Sequence, residues 1–437
     1  MAGSGGAPSA APPAVALPPG PSLPPLVQTV AFHRDPLGVL RRSRARYGPV
    51  FTLRLPVVGP VVVVADAAAV EPLLAADPGA ARAGEARRRI LPVASPRSVF
   101  GADGDEHRTA RERIWAAFKT ETVGRQRGAM VSLTEEHIAG WPQGRPFRLL
   151  PRVRTLIDEI FVRQIVGVED PERGRALVLA IRRMLWTPGN PPMPIPGPGN
   201  ETLPGPASAL FKWRSAPVTQ LLGDAIDQRR RAGSDGRDDD IIGALLRSAP
   251  DLSTPAMVDE LLAVLMAGQE PPSVAVTRVL DRLARDGAAR DRFLSAGGED
   301  PYRDAVVREE LRLHPPALAV LRRLTAPFDV SGHSLPAATT VMLPIPLLHR
   351  DPQAFDAPDE FRPERWLAGG LPEQCFLPFG GGVRGCLGEH LAHAYFAAVV
   401  PTVLRAVSLR PVRPRPERMV VRATTLVPHR SALVTAS

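Results

Sequence analysis

Ten residues, Phe379-Gly380-Gly381-Gly382-Val383-Arg384-Gly385-Cys386-Leu387-Gly388, run directly into a helical pattern that begins at Glu389. Glycine is the residue that tolerates a tight, irregular backbone, so this stretch reads as a loop opening onto a helix N-terminus. A cysteine placed there, beside Arg384, is set for chemistry: the helix dipole and the guanidinium both favour thiolate over thiol. A lone Gly-x-Cys-Gly is more often a structural turn around an incidental buried cysteine. The other cysteine of the chain is Cys375, which reads as a small core residue. Two cysteines supply neither a disulfide framework nor a four-thiolate zinc or iron–sulfur site, so cysteine chemistry here runs through a single thiolate.

The rest of the chain reads as mainly helical with a minor β region. Residues 1–26 are rich in Pro and Ala and read as a flexible tail, neither signal peptide nor membrane anchor. The spacing then predicts a helix over Pro36–Tyr47, a hairpin of Val50–Leu55 and Val61–Val64, and a helix over Asp66–Ala76 capped by Asp66. Helical patterns dominate from Glu106 to Leu246, interrupted at Pro188–Pro206 and Gly233–Asp240. A long helix is expected over Pro255–Leu283, capped by Thr254 and disturbed between Gly268 and Pro272, where its apolar stripe keeps register. Tyr302–Leu313 and Glu389–Val407 complete the helices, and residues 27–437 read as one domain. No apolar run approaches the roughly 18 residues a bilayer helix needs. Lys and Arg total 54 against 45 Asp and Glu, a net charge of +9 that is almost all arginine. The arginines are interleaved with acids, which disfavours nucleic acid and suits an acidic protein partner.

The whole loop matches F-x-x-G-x-R-x-C-x-G, and on that motif the chain resembles the cytochrome P450 superfamily, in its bacterial type. Upstream, Glu309-Glu310-Leu311-Arg312 resembles the family's ExxR helix, and Phe361-Arg362-Pro363-Glu364-Arg365-Trp366 its PER segment. Taken alone, a Glu and an Arg three apart are only helix neighbours. His107-Arg108-Thr109-Ala110-Arg111 resembles the His-x-x-x-Arg of bacterial members, and Arg322 a further propionate-binding arginine. The resemblance implies a P450 fold, with haem b between a long distal helix and the Cys-loop helix. It implies Cys386 as the iron's thiolate ligand, with His107, Arg111, Arg322 and Arg384 at the propionates. Phe379 would shield the sulfur, while Gly268, Gly382 and Gly388 would let backbone approach the cofactor. Glu309, Arg312 and Arg365 would form a buried structural network under the loop.

The implied activity is monooxygenation of a hydrophobic small molecule with O2, for example a terpenoid, fatty acyl, steroid or polyketide compound of secondary metabolism. Electrons would come from a ferredoxin or flavodoxin and its NAD(P)H reductase, to a monomeric cytoplasmic protein without membrane anchor. Apolar Ala317–Leu321 would pass the haem edge, and Trp186 to Pro206, with Met193 and Ile195, would form a lid. The sequence departs from the family at Ala267-Gly268-Gln269-Glu270-Pro271-Pro272-Ser273. The acid expected to move protons is present as Glu270, but Pro271 stands where a threonine is usual, and proline has no hydroxyl to relay a proton. Gln269, Ser273, water or a substrate hydroxyl are the substitutes on offer. Tyr395 stands where a Glu is common. The rivals are a peroxide-driven or non-oxygenating haem-thiolate enzyme and a non-catalytic haem sensor.

Overall fold

The computed structural model describes residues 16–55, 59–89, 95–185, 206–233, 239–296, 300–422 and 424–437. Helices dominate, and one of them is broken in the middle. Thr254–Gly268 and Glu270–Arg285 are two helices joined at Gln269, whose φ of −109° and ψ of −61° interrupt the spiral. Pro271 and Pro272 fall in the first turn of the second helix, where the N–H groups have no intrahelical partner in any case. The sequence therefore breaks the helix where the break is least harmful. Ser273 bridges it by donating both its N–H and its hydroxyl to the Gln269 carbonyl. The cap lies one residue earlier than the sequence suggests, at Ser253, because the Thr254 hydroxyl donates instead to Asp227 at 2.7 Å.

The broken helix is the centre of the main core. Leu261, Leu265, Val276, Val279, Leu280 and Leu283 on it are fully buried. Leu149–Ile160, Pro301–Leu313 and Glu389–Ala406 pack around its second half, and Pro206–Ala232 against its first. The minor β region holds a five-stranded sheet in the order Val50–Leu55, Gly59–Val64, Thr340–Pro344, Ala319–Leu324, Ala81–Arg82, beside three smaller sheets of two or three strands. Only the pairing of Gly59–Val64 with Thr340–Pro344 is parallel. Val61 to Val64 are buried without alternation because that strand lies inside the sheet with both faces covered.

The helix Pro36–Tyr47 falls where the spacing puts it. The Asp66 cap also holds, accepting from Ala68 N–H at 3.0 Å, but the segment divides into a short turn, Ala67–Ala69, and a helix, Val70–Ala75, with Pro72 in its first turn. The tail boundary expected at Leu26 is too late. Pro18 O accepts from the Thr52 hydroxyl at 2.7 Å, Pro19 O from Thr52 N–H at 3.0 Å, and a helix begins at Pro25. Proline lacks an N–H but keeps its carbonyl, so a Pro-rich strand can still accept hydrogen bonds along a sheet edge. The lid segment proper, Trp186 to Gly205, lies outside the described residues, and so does most of the Gly233–Asp240 interruption. No helix among the described residues is long and apolar enough to cross a membrane.

Gly268 ends the first half of the broken helix, and a Cβ added there would collide with the Phe161 ring. The glycine is thus required by helix packing. Gly268→Ala is expected to lose about 1–3 kcal/mol in urea unfolding, with part of the loss recovered when Phe161→Leu is added. An unchanged midpoint would show that Phe161 gives way freely.

Candidate active site

The Phe379–Gly388 loop closes on itself: Cys386 N–H donates to Phe379 O at 2.9 Å and Gly385 N–H to Gly382 O at 3.0 Å. Gly380 and Gly382 have φ of +71° and +62°, which only glycine adopts without strain. A side chain on Gly382 would also press on Leu74 O, so this glycine serves the turn and its seat on the helix Val70–Ala75. The Phe379 ring lies 5.6 Å from that of His393 on the following helix. Cys386 is exposed as a residue, although protein surrounds its sulfur. That burial pushes its thiol pKa up, against the lowered value the sequence suggests. The Gly388 N–H, Arg111 and Arg87 oppose the rise, and Glu389 adds to it. In the polypeptide alone desolvation wins; a cation at sulfur reverses the balance.

Beside the loop lies a buried cluster in which cations outnumber acids. Arg384 Nη2 donates to Asp103 Oδ1 at 2.6 Å, and its Nε lies 3.2 Å from Asp77 Oδ2. Arg322 Nε approaches the same Asp77 oxygen at 3.3 Å. Both guanidinium groups are almost fully buried. Burial, and then Arg384 and Asp103 of the same cluster with opposite signs, leaves Arg322 with a pKa of about 10 even beside Asp77. Arg87, which the sequence reading missed, is lowered to about 10 by burial and by Arg384 and Arg322. His107 is buried and held at about 4 by burial and by Arg384, Arg111 and Arg87, so it is neutral at pH 7. Arg111, one turn along, donates to Gly385 O at 2.8 Å, immediately before Cys386. Arg384 Nη1 and Arg322 Nη2 have no hydrogen-bond partner among the described residues. Asp103, also unforeseen, accepts from Gly84 and Glu85 N–H and so fixes the helix Ala83–Arg88 that carries Arg87.

The expected structural network is present and buried. Glu309 accepts from Arg312 through two bonds of 2.8 and 2.9 Å, from Arg365 Nε at 3.1 Å, from Arg362 N–H at 2.9 Å and from Trp366 Nε1 at 2.9 Å. Burial alone would raise this carboxyl, but those donors hold it below the usual carboxylate range. Arg312 spends its remaining donors on the carbonyls of His349, Pro358 and Glu360. His349, also unforeseen, links the network to the loop, because its Nε2 accepts from Leu377 N–H at 2.7 Å, two residues before Phe379.

Gly268 and Glu270 make their contacts elsewhere. The side-chain direction of Gly268 is filled by Phe161, so it offers no cofactor face there. Glu270 is held by Arg154 and, at 3.4 Å, by Arg422. Gln269 is buried and its Nε2 has no partner among the described residues.

A family model described as cytochrome P450 matches residues 298–434, the stretch holding the buried network and the cysteine loop. A putative cytochrome P450 135B1 of Mycobacterium tuberculosis is 31% identical over 430 residues, covering 96% of this chain and 91% of the relative. A putative cytochrome P450 135A1 of the same species is 30% identical over 424 residues, covering 95% and 94%. The chain belongs to the cytochrome P450 family. The structure of a retinoic acid-bound cyanobacterial CYP120A1 shares the P450 fold, with a TM-score of 0.82 at 22% identity over 97% of this chain and all of that one.

This P450 is therefore a monooxygenase of the haem-iron class, and its residues can be tested for fit to that group. They fit. The Cys386 thiol receives the Gly388 N–H, and the adjoining cluster has surplus positive charge and unpartnered guanidinium donors suited to carboxylates. The buried network gives the first mutational expectation. Arg312→Ala takes from buried Glu309 one of its two guanidinium partners and both bonds that partner makes, and a loss of about 3–5 kcal/mol is expected in urea unfolding, with poor haem loading. Normal stability and loading would show that Arg365 and Trp366 suffice.

Proposed function

We propose that Cys386 is the axial ligand of haem b and that Arg322 and Arg384, helped by His107 and Arg111, receive its propionates. The single observation that carries this reading is the pair of buried guanidinium groups with free donors beside the Cys386 loop. A group held by one sulfur and by ion pairs is held without a bond to its periphery, which is how haem b binds. So bound, a thiolate-ligated haem supplies oxygen activation, with electron density pushed from sulfur to iron. The polypeptide supplies the rest. Gly388 N–H moderates the sulfur charge, Phe379 covers that side of the loop, and the Glu309 network fixes the loop's height. Neutral His107 serves as a hydrogen-bonding group, whereas a protonated one would repel Arg384 and Arg87.

The substrate we infer is a hydrophobic small molecule. Partly exposed Ala317, Ala319, Val320 and Leu321 are apolar, and Val320 lies beside Gly380 of the cysteine loop. Single electrons would come from a ferredoxin or flavodoxin, acidic carriers suited to a chain of net charge +9. In the ferrous carbon monoxide complex, wild type should show the red-shifted Soret band of thiolate ligation and Cys386→Ser should lose it. An unchanged spectrum in the variant would refute the assignment.

For the proton step, Glu270 is the group proposed to carry protons from solvent, steadied by Arg154 and Arg422, because Pro271 offers no hydroxyl. Glu270→Ala should slow NADPH-driven product formation by about 10²-fold while sparing peroxide-driven turnover. Pro271→Thr should raise product per NADPH on a hydroxyl-free surrogate. Tight coupling in wild type, unaltered by either change, would favour a relay elsewhere; peroxide-driven turnover alone would favour the peroxide-using alternative.

A further inference from the structure

Three arginines from three helices line one groove beside the Cys-loop helix. Arg127 opens the helix Arg127–Ala139, Arg303 lies on the helix Pro301–Leu313, and Arg405 is in the last turn of the helix Glu389–Ala406. The groove measures about 530 Å³, within the roughly 300–1,000 Å³ of small-molecule sites and far more than one inorganic anion fills. Val131, Ala398 and Pro401 give it an apolar wall, and Glu135 is the acid in its lining. No salt bridge among the described residues joins Glu135 to any of the three arginines.

Helix electrostatics do not account for this grouping. The dipole favours Arg405 at a C-terminal turn but disfavours Arg127 at a first helical position, where no acid accompanies it. Arg303 is anchored from behind: its Nε donates to Phe293 O at 2.8 Å and its Nη2 to Leu294 O at 3.4 Å. Its guanidinium carbon lies 5.3 Å from the centre of the Phe293 ring, and its Nη1 has no partner among the described residues. Arg127 is anchored by an irregularity in the Cys-loop helix. Pro401, buried inside that helix, brings no N–H to the Ala397 carbonyl, and Arg127 Nη2 donates to that carbonyl at 3.4 Å. Arg405 makes neither hydrogen bond nor ion pair among the described residues. Burial lowers the Arg303 pKa, Arg405 and Arg127 lower it further, and Asp300 opposes them. Two guanidinium groups are thus held in place and a third is unengaged, with more positive charge than Glu135 offsets.

We propose that this groove is a second ligand site, which takes a small organic dianion of the phosphate-monoester kind with a compact apolar body. The planar guanidinium forks suit phosphate oxygens, and Val131, Ala398 and Pro401 suit the body. Arg405 lies roughly 24 Å along its helix from Glu389, so the site is separate from the cysteine loop and independent of the haem assignment.

The test is calorimetric titration of phenyl phosphate into the holoenzyme, with the Soret band followed in parallel. Phenyl phosphate is expected to bind with a Kd below about 1 mM, about 10-fold more tightly than inorganic phosphate, and to leave the Soret band unmoved. Arg405→Gln and Arg127→Gln should each weaken binding about 10-fold. Glu135→Gln should tighten it, and added NaCl should weaken it. An unchanged urea midpoint in ligand-free Arg405→Gln assigns the lost affinity to the groove. Binding that is undiminished in both arginine variants, or that shifts the Soret band, puts the probe elsewhere and overturns the proposal. Equal affinity for inorganic phosphate overturns the apolar-bodied ligand. Absence of phenyl phosphate binding overturns the site, and weaker ferredoxin binding by Arg405→Gln would then assign the arginines to docking of the electron carrier.

Discussion

The carboxylate of Glu309 receives every donor brought to it: two from Arg312, one each from Arg365, Trp366 and the Arg362 amide. A bare carboxylate at that depth is costly, and removing one partner leaves the cost exposed, so the elements that carry the donors are bound to appear together. They come from the helix Pro301–Leu313 and from the segment around residues 356–366, which has little regular structure of its own. Arg312 then fixes His349 by its carbonyl, and His349 fixes Leu377 by its ring. The cysteine loop begins two residues later. Its position is set by a hydrogen-bond chain starting from one buried ion pair, and aromatic contacts of Phe376 with Trp366 and His349 reinforce the chain.

Electrostatics on the other side of the loop work in the opposite sense. Glu309 is oversupplied with donors; Arg322 and Arg384 are undersupplied with acceptors among the described residues. Asp77 and Asp103 offset part of the charge and organise the cluster, but burial and mutual repulsion still lower the arginines. Propionates bound there as proposed would bring two carboxylates to offset the surplus charge. The raised Cys386 thiol fits the same proposal: an iron at the sulfur would supply the stabilisation that the polypeptide alone does not.

The broken helix shows how one irregularity has consequences at several distances. Two prolines restart the spiral at Glu270, Gln269 takes the non-helical turn, and Gly268 accommodates Phe161 from the neighbouring helix. The restart puts Glu270 within reach of Arg154 and Arg422. Pro271 removes a hydroxyl, but the same break leaves a carboxylate between two arginines.

By itself the sequence determined the local and the covalent. The loop that carries Cys386, the break between Gly268 and Pro272, the helices Pro36–Tyr47 and Pro301–Leu313, and the identity of Glu309, Arg312 and Arg365 as a network were all legible, because each depends on neighbours in the chain or on a fixed motif. The expectation for Gly268 was incomplete because its space is taken by Phe161, more than a hundred positions away in sequence. Arg87, His349 and Asp103 gave no decisive signal, since an arginine or aspartate has the same appearance in a sequence whether it lies in water or in a core. Tertiary structure decided which charges are buried, and burial decides their protonation, their partners and the sign of the thiol's shift.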